Sequence, residues 1–302
     1  MTPRFTMVAG PNGSGKTTLM RRLAGDYAVN FYSILNADDI FAEVSRTGRY
    51  LPHIPVTDDL LRSYAAATTY SDDVKAPFRD GRIVVESDCV RFIDPKAVNS
   101  YTVALLVEAV QEIGICQHAS FSQETVFSHP SKVDALRKAR KEGFRTYLYF
   151  VATGSPLVNV ARVENRARLG GHAVPPEKIA SRFPLSVANA AAALPYLSRA
   201  YFFDNSSETM RFFAEWDADA GLLPADGERA PDWFAPIADA AGKVSVPGGG
   251  SDLRTNAAIA ASAAAASRGA VESAFEAGLP ITVMRGGRIV RVSPDGTERS
   301  ET

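Results

Sequence analysis

Residues 10–17 read Gly10-Pro11-Asn12-Gly13-Ser14-Gly15-Lys16-Thr17 and match the phosphate-binding template G-x-x-x-x-G-K-[ST] at every fixed position. The apolar run at residues 5–9 predicts a strand before this loop, and residues 17–25 predict a helix after it. In that setting, the backbone N–H groups of the loop and of the helix N-terminus form a concave site for phosphates. The stretch therefore predicts a nucleoside triphosphate site. The disfavoured alternative is a glycine-rich turn with a chance lysine.

The template assigns a role to each part of the loop. Lys16 is expected to reach the β- and γ-phosphates, and the Thr17 hydroxyl is expected to ligate Mg²⁺. The residues predicted to bind the nucleotide are Gly10, Asn12, Gly13, Ser14, Gly15, Lys16, Thr17 and Thr18.

The composition is that of an ordinary globular protein. Of its 302 residues, 46% are hydrophobic and 22% are charged, which provides enough apolar material for a sizeable core. The formal net charge of −1 lacks the basic excess of nucleic-acid-binding proteins and argues against a nucleic-acid partner. No apolar run has the length of a membrane span, and the first predicted strand leaves no room for a signal peptide, so we expect a cytoplasmic protein with no membrane contact. Cys89 and Cys116 lie in apolar runs and are expected to be buried, reduced thiols.

Strand-like and helix-like segments alternate from the N-terminus to about Asn205. This alternation is typical of the α/β class, with a parallel sheet flanked by helices, as in P-loop NTPases. The pattern predicts a helix running from Thr57 toward Phe78 and a hairpin at Ser87-Asp88. Residues 146–152 predict a central strand buried on both faces, and residues 200–204 predict the last strand of the sheet.

The character of the chain changes after residue 217. We predict a P-loop domain over residues 1–217, a linker over 218–252, and a small module of one helix and a β-hairpin over 253–302. The hairpin is expected to turn at Gly286-Gly287. A module of this size is too small for independent stability, so we expect it to pack on the larger domain or on a partner. Residues 247–251 resemble a cloning linker, which leaves open that the tail was joined by design.

Two neighbouring carboxylates follow the second predicted strand, which covers residues 31–35. Asp38 and Asp39 would then lie at the edge of an open α/β sheet, where ligands bind. A carboxylate there can accept a proton from a substrate hydroxyl or hold Mg²⁺. We expect one of the two to do so and the other to cap the following helix. The residues themselves leave open which one does which.

Two further polar groups follow later in the chain. Glu124 and Thr125 come directly after a strand predicted at residues 119–122, although they would also fit a simple turn. Arg162 and Arg166 are four residues apart and share a helix face, and Arg182 follows on the next helix. Clustered arginines near a triphosphate site can neutralise charge during phosphoryl transfer. The alternative is a solvated helix face that carries such a run of charges.

Taken together, these motifs resemble the zeta-toxin family of P-loop kinases. In chain order, the matching stretches are residues 9–17, 36–38, 124–130, 159–172 and 204–206. The resemblance covers residues 4–206 and implies an ATP-dependent kinase whose acceptor is an alcohol group, related to the toxins of toxin–antitoxin systems. Members of that family phosphorylate UDP-N-acetylglucosamine, so the resemblance implies a nucleotide sugar as acceptor.

The resemblance also implies roles for single residues. Lys16 and Thr17 would bind ATP with Mg²⁺, and Asp38 would be the base for the substrate hydroxyl. Glu124 and Thr125 would contact the substrate. The arginines that would stabilise the transferring phosphoryl group are Arg162, Arg166 and Arg182.

The chain departs from the family pattern in two places. Residues 50–95 form an insertion relative to compact members, and Gln123 stands where the related Phe-Glu-Thr pattern has an aromatic residue. Both departures bear on the acceptor pocket. The tail is similar to short antitoxin-like proteins, which implies that it acts as an inhibitor in cis or in trans.

Two other functions are weighed against this one. In the first, the chain is a nucleotide-gated interaction module with little turnover, in which ATP binding controls a partner. In the second, it is a nucleic-acid or nucleoside kinase. The near-neutral charge argues against a nucleic-acid substrate, because contacts to a phosphate backbone are normally made by Lys and Arg.

Overall fold

A computed structural model of the chain describes residues 1–26, 28–171, 173–225, 227–244, 264 and 268–301. The chain divides into two compact units, which are described separately below. Unit one comprises Met1–Thr6, Phe31–Thr125 and Lys138–Arg145. Unit two comprises Met7–Asn30, Val126–Arg137 and Thr146–Thr302.

The described strands and helices follow one another in the alternating order expected of an α/β fold. The strands are β1 Arg4–Ala9, β2 Ser33–Asn36, β3 Arg49–Tyr50, β4 Ile83–Glu86, β5 Cys89–Phe92, β6 Phe121–Thr125, β7 Arg145–Ala152, β8 Arg199–Asp204, β9 Arg211–Asp217, β10 Gly221–Pro224, β11 Ile281–Arg285, β12 Arg288–Val292 and β13 Glu298–Glu301. The α-helices are α1 Lys16–Asp26, α2 Ala37–Thr47, α3 Asp58–Ala67, α4 Asp72–Arg79, α5 Ser100–Cys116, α6 Ser131–Lys141, α7 Pro156–Arg168, α8 Pro176–Ala193 and α9 Ala235–Ala241. Residues 268–276 are helical as well.

A seven-stranded sheet has the order β10-β9-β8-β7-β1-β6-β2. Strands β2 and β6 run parallel, as do β7 and β8, and helices flank the sheet. The predicted α/β class with a mostly parallel sheet is therefore confirmed. The last five residues of β7, residues 148–152, are buried without interruption, as expected of a central parallel strand.

The sheet continues past the last predicted strand. Strand β9 pairs antiparallel with β8, and β10 pairs antiparallel with β9, so the parallel sheet carries an antiparallel extension. The sequence analysis did not predict these strands, because charged residues interrupt the apolar run of β9 and β10 is only four residues long.

The prediction of a linker from residue 218 is wrong for its described part. Residues 221–241 contain β10 and α9, and the side chains of Trp233, Phe234 and Ile237 are buried. The Phe234 ring lies 4.9 Å from the rings of both Phe202 and Phe213, measured between centroids. A few large aromatic side chains anchor a segment whose average composition is that of a loop. Residues 245–252 of the predicted linker lie outside the described residues.

Unit one contains a small antiparallel sheet of order β3-β5-β4 together with α3 and α4, within the predicted insertion. Thr57 caps α3 as predicted, because its side chain accepts a hydrogen bond from the Leu60 N–H. The single helix expected over residues 57–78 is two helices, since the backbone is extended at Thr68. The predicted hairpin is confirmed. Ser87 and Asp88 have φ angles of 48° and 64°, as a two-residue type I′ turn requires.

The C-terminal module is a three-stranded sheet of order β11-β12-β13. The predicted hairpin at Gly286-Gly287 is confirmed, whereas the third strand was not predicted. Its core consists of Ile281, Val283, Val290 and Val292, packed against Val271, Ala274 and Phe275. The helix predicted to contain residues 256–266 and to end at Gly278 is confirmed over residues 268–276, whereas most of its earlier part lies outside the described residues.

Two further expectations concern burial and membranes. Cys116 is exposed and Cys89 is partly buried, so the expectation of two buried thiols is wrong; both are free cysteines. Within the described ranges, no helix combines the length and the apolar character needed to cross a membrane.

We predict that Phe234→Ala lowers the free energy of unfolding by about 3–5 kcal/mol, because the side chain is 2% exposed and its removal leaves a cavity among aromatic rings. Urea denaturation measures this. Asp239→Ala, at an exposed position of α9, serves as the control and is expected to change stability by no more than about 0.5 kcal/mol. Equal, small effects of the two substitutions would mean that the segment is a linker after all.

Candidate phosphate-binding site

The phosphate loop of unit two is held where only glycine fits. Gly10, Gly13 and Gly15 have φ angles of 142°, 75° and 101°. A Cβ on Gly10 would lie 1.9 Å from the carbonyl oxygen of Val151, in β7. At Gly13 and Gly15, a Cβ would lie 2.7 Å from the Asn159 oxygen and 2.6 Å from the Asn205 Nδ2. These three glycines, of which Gly10 and Gly15 belong to the template, are therefore required both by the backbone conformation and by the close approach of neighbouring elements.

Lys16 begins α1 and points back into the loop. Its Nζ donates hydrogen bonds to the carbonyl oxygens of Gly10 at 2.8 Å and Pro11 at 3.0 Å, and the side chain is only 8% exposed. A buried ammonium needs such partners, because desolvation disfavours the charged form. The positive charge is thus held on the loop where the template places phosphates.

Two side chains of the loop are buried without a hydrogen-bond partner. These are the Oδ1 atom of Asn12 and the Oγ atom of Ser14. Leaving a buried polar atom unpaired costs about 1–3 kcal/mol, so such atoms in a native structure call for an explanation. An anionic ligand with bound water provides one. Together with the lysine and the N-terminus of α1, these groups fit a nucleoside triphosphate.

Two asparagines hold the backbone of the loop. The Nδ2 of Asn159, at the start of α7, donates to the Asn12 carbonyl oxygen at 2.6 Å. The Nδ2 of Asn205, just after β8, donates to the Ser14 carbonyl oxygen at 2.8 Å. The Thr153 hydroxyl in turn donates to the Asn159 Oδ1. Sequence reasoning gave neither asparagine a role. The available signal was position: Asn205 directly follows β8, and Asn159 lies in the first turn of the helix that follows β7, at the strand ends where parallel sheets bind ligands.

Arg162, one of the three predicted arginines, contacts the residues that follow β8. It lies one helical turn after Asn159 on α7, and its Nη2 donates to the Ser207 carbonyl oxygen at 3.3 Å. Burial lowers the pKa of Arg162 to about 10, while Asp204 and Glu208 act to raise it. The guanidinium is therefore protonated at neutral pH. Arg166 is exposed and Arg182, on α8, is half-buried. Of the Gly-Gly-His motif, His172 lies outside the described residues.

The acidic residues lie in unit one, where Asn36 organises them. The Asn36 Oδ1 accepts hydrogen bonds from the N–H groups of Asp38 at 3.0 Å and Asp39 at 3.4 Å, and thereby caps α2. The expectation that one of the two aspartates is the cap is therefore wrong. Both carboxylates are exposed in the first turn of the helix, where its dipole favours negative charge.

Glu124 is tied to the same residue. Asn36 and Glu124 pair in register between the parallel strands β2 and β6, and the Asn36 Nδ2 donates to the Glu124 Oε2 at 3.2 Å. Thr125 ends β6, and both Glu124 and Thr125 are half-buried. The preceding Gln123 is buried, and its Oε1 has no hydrogen-bond partner. Unit one thus places Asp38, Glu124 and Thr125 at the carboxyl ends of two adjacent strands.

The C-terminal module docks within unit two, on the turn that follows β8. The Met284 N–H donates to the Ser206 carbonyl oxygen at 2.8 Å, and the Asn165 Nδ2 of α7 donates to the Pro280 carbonyl oxygen at 2.5 Å. Arg285 forms an ion pair with Glu208. The expectation that the module packs on the larger domain is therefore confirmed.

A cavity of about 430 Å³ lies beside this turn. Its lining includes Asp204, Ser206, Arg211, Trp233 and Met284. The Asp204 carboxylate, only 5% exposed, accepts hydrogen bonds from Arg211 at 3.1 Å and from the Trp233 indole at 3.3 Å. The charge of Asp204 is thus fully accommodated by the fold.

We predict that Asn205→Ala weakens ATP binding about tenfold, or ~1.4 kcal/mol, because the Ser14 carbonyl loses the donor that holds the loop in its binding conformation. Isothermal titration calorimetry measures the affinity. Asn189→Ala is the matched control, since the Asn189 Nδ2 makes the same kind of bond, at 2.8 Å, to the Phe127 carbonyl oxygen. It is expected to leave ATP affinity unchanged. Equal losses in both variants would refute the role of Asn205.

Comparison with known sequences gives a limited result. No protein-family model matches the chain. An uncharacterised protein of Haemophilus influenzae is 28% identical over 69 residues, which are 23% of this chain and 49% of that protein. The match thus spans about half the length of that relative.

Solved structures show similarity over more of the chain. A protein of Chloroflexus aurantiacus described as a kinase is 17% identical, with a TM-score of 0.35, and the match covers 60% of this chain and 77% of that one. The PezAT toxin–antitoxin system of Streptococcus pneumoniae is 14% identical, with a TM-score of 0.41 and coverages of 68% and 69%. The AvrRxo1-ORF1:-ORF2 complex with ATP is 17% identical, with a TM-score of 0.34 and coverages of 90% and 76%.

Proposed function

We propose that the protein is an ATP-dependent kinase of the zeta-toxin type, which transfers a phosphoryl group to a hydroxyl of a small acceptor, a nucleotide sugar such as UDP-N-acetylglucosamine. The observation that carries the proposal is the phosphate loop, in which a buried lysine is held by two loop carbonyls beside two unpartnered polar atoms. The C-terminal module acts as its inhibitor.

The loop supplies the nucleotide half of the reaction. The Lys16 ammonium exchanges the Gly10 and Pro11 carbonyls for oxygens of the β- and γ-phosphates, with which it makes stronger, charge-assisted hydrogen bonds. Backbone N–H groups of the loop surround the phosphates. We assign the Thr17 hydroxyl, in the first turn of α1, to Mg²⁺, which would neutralise part of the phosphate charge when bound.

We assign the acceptor half of the reaction to Asp38, Glu124 and Thr125 on the resemblance of the motifs. Asp38 takes the proton of the acceptor hydroxyl, whose oxygen forms a bond to the γ-phosphorus. The bond between that phosphorus and the bridging oxygen breaks, and ADP leaves. Glu124, held by Asn36, and Thr125 bind the acceptor. The protonated Arg162 stabilises the transferring phosphoryl group; Arg166 and Arg182 are candidates for the same role.

The choice of a nucleotide sugar rests on the resemblance of the motifs. The insertion adds polar groups of its own, since the Tyr70 hydroxyl donates to the Glu108 Oε2 at 3.2 Å. Burial and the Glu108 charge raise the pKa of Tyr64 to about 12, so its hydroxyl stays protonated and can donate hydrogen bonds. Tyrosine hydroxyls and carboxylates are suitable partners for sugar hydroxyls.

We predict that Lys16→Ala and Asp38→Ala each reduce phosphoryl transfer by at least about 10³-fold, because they remove phosphate positioning and the base, respectively. The assay incubates each variant with labelled ATP and a panel of nucleotide sugars, nucleosides and oligonucleotides. Labelling of a nucleotide sugar by the parent protein is the expected result.

Asp39→Ala is the matched control for Asp38→Ala, since the two aspartates are exposed neighbours in the same helical turn. It is expected to retain transfer. Loss of activity in Asp39→Ala with retention in Asp38→Ala would reverse the assignment of the base. Labelling of oligonucleotides instead of sugars would replace the proposed acceptor.

We predict that removing the chain beyond residue 247 raises transfer activity, because the module is docked on the turn next to the phosphate loop. Thermal unfolding checks that the shortened chain is folded, and adding back residues 253–302 as a peptide should restore inhibition. Equal activity with and without the module would refute inhibition in cis. ATP binding without transfer in both forms would favour the nucleotide-gated interaction module.

A further inference from the structure

Strand β11 of the C-terminal module makes contacts on both of its faces. Ile281 and Val283 lie in the core of the module, and Thr282 and Met284 alternate with them, so their side chains lie on the opposite face. Thr282 is only 3% exposed and Met284 is half-buried. Helix α7 and the turn after β8 contact the strand. The second face of β11 is therefore a contact face and not a solvent face.

Residues of unit two that contact this strand and its flanks form what we call the docking surface, namely Gly154, Asn165, Ser206 and Glu208. Two of them hold the backbone. The Asn165 Nδ2 donates to the Pro280 carbonyl oxygen, and the Ser206 carbonyl oxygen accepts the Met284 N–H. Bonds to backbone groups form whatever side chain the strand carries. They fix the position of the strand without selecting its sequence.

The ion pair of Arg285 adds little selection. Its Nη2 pairs with Glu208 of the docking surface, and its Nη1 pairs with Glu298 of the module itself. The side chains of all three residues are between 31% and 47% exposed. Ion pairs this open to solvent contribute little net free energy. The preference of the docking surface for one sequence must therefore come from another contact.

That contact lies at Gly154, just after β7. Its φ angle is not positive, so the left-handed conformation is not the reason for a glycine here. A Cβ on Gly154 would lie 2.2 Å from the Met284 Sδ, 3.1 Å from the Met284 Cε and 3.3 Å from the Ser206 Oγ. The thioether of Met284 thus lies across the glycine backbone, in the space that a methyl group would fill.

We propose that Gly154 is the residue by which the docking surface recognises its strand, and that it selects a long, unbranched, apolar side chain at position 284. The atoms that reach Gly154 are the third and fourth of the methionine side chain, so alanine and β-branched residues fall short. The partner that fits is an extended strand with a methionine four residues after the carbonyl held by Asn165. The inference goes beyond the proposed function, because it concerns recognition of the strand and not phosphoryl transfer.

Amide hydrogen exchange in the full-length chain, read by NMR, measures the docking. The N–H of residue 284 bonds to Ser206 and not to β12, so it is protected only while the strand is docked. The amides that pair β11 with β12 report unfolding of the module and serve as the internal reference. After correction for intrinsic rates, we expect exchange at residue 284 to rise about tenfold in Met284→Ala and about fivefold in Met284→Ile. The reference amides should not change.

An exchange of side-chain size tests the contact itself. Gly154→Ala should speed exchange at residue 284 about fivefold, because the added methyl group displaces the thioether. In Gly154→Ala/Met284→Ala the loss should be smaller than the two single losses combined, since the shorter side chain leaves room for the methyl group. Gly242→Ala is the control. A Cβ at this helical position has its nearest listed neighbour at 3.8 Å, so docking should not change.

Two results would overturn the inference. Unchanged exchange at residue 284 in Met284→Ala would show that the thioether does not hold the strand. Fully additive losses in the double variant would show that Gly154→Ala damages unit two and not the contact with Met284. Protection is measured without ATP or acceptor, so the result is separate from that of the transfer assay.

Discussion

The phosphate loop is shaped by how closely other elements approach its backbone. At Gly10, Gly13 and Gly15 any Cβ would overlap atoms of β7, α7 or the residue after β8. Close approach alone does not set the direction of the loop carbonyls. Asn159 and Asn205 do that, by donating hydrogen bonds to two of them. The loop is thus preorganised for an anion by contacts from distant parts of the chain. Its three glycines adopt positive φ angles that would strain any other residue.

The loop could be predicted from sequence because its requirements are local. Four template residues specify a backbone conformation and a lysine, and the flanking strand and helix are contiguous with them. The capping of α2 was predicted with the right chemistry but at the wrong residue. Asp38, Asp39 and Asn36 are all good caps by type. The pairing of Asn36 with Glu124 in the neighbouring strand fixes its side chain, and that contact joins residues 88 positions apart.

The segment after the antiparallel extension of the sheet shows that average composition can fail to predict ordered structure. Residues 218–244 contain few large apolar side chains, and an average over the segment resembles a linker. The Trp233 and Phe234 side chains nevertheless form a cluster of rings with Phe150, Phe202 and Phe213. Burying one aromatic side chain contributes about as much as several small ones, so two of them suffice to anchor a short segment. The strands on which they pack are determined by tertiary contacts, which the composition of the segment does not reveal.

Two carboxylates of the turn after β8 act on Arg162. Asp204 is buried and held by Arg211 and the Trp233 indole, so removing these partners would leave a buried charge unpaired. Glu208 lies four residues further on, is half-buried, and pairs with Arg285. Both carboxylates act to raise the pKa of Arg162, against the effect of its burial. The same turn holds the phosphate loop through Asn205, so the residues that fix the loop also favour the charged form of the neighbouring arginine.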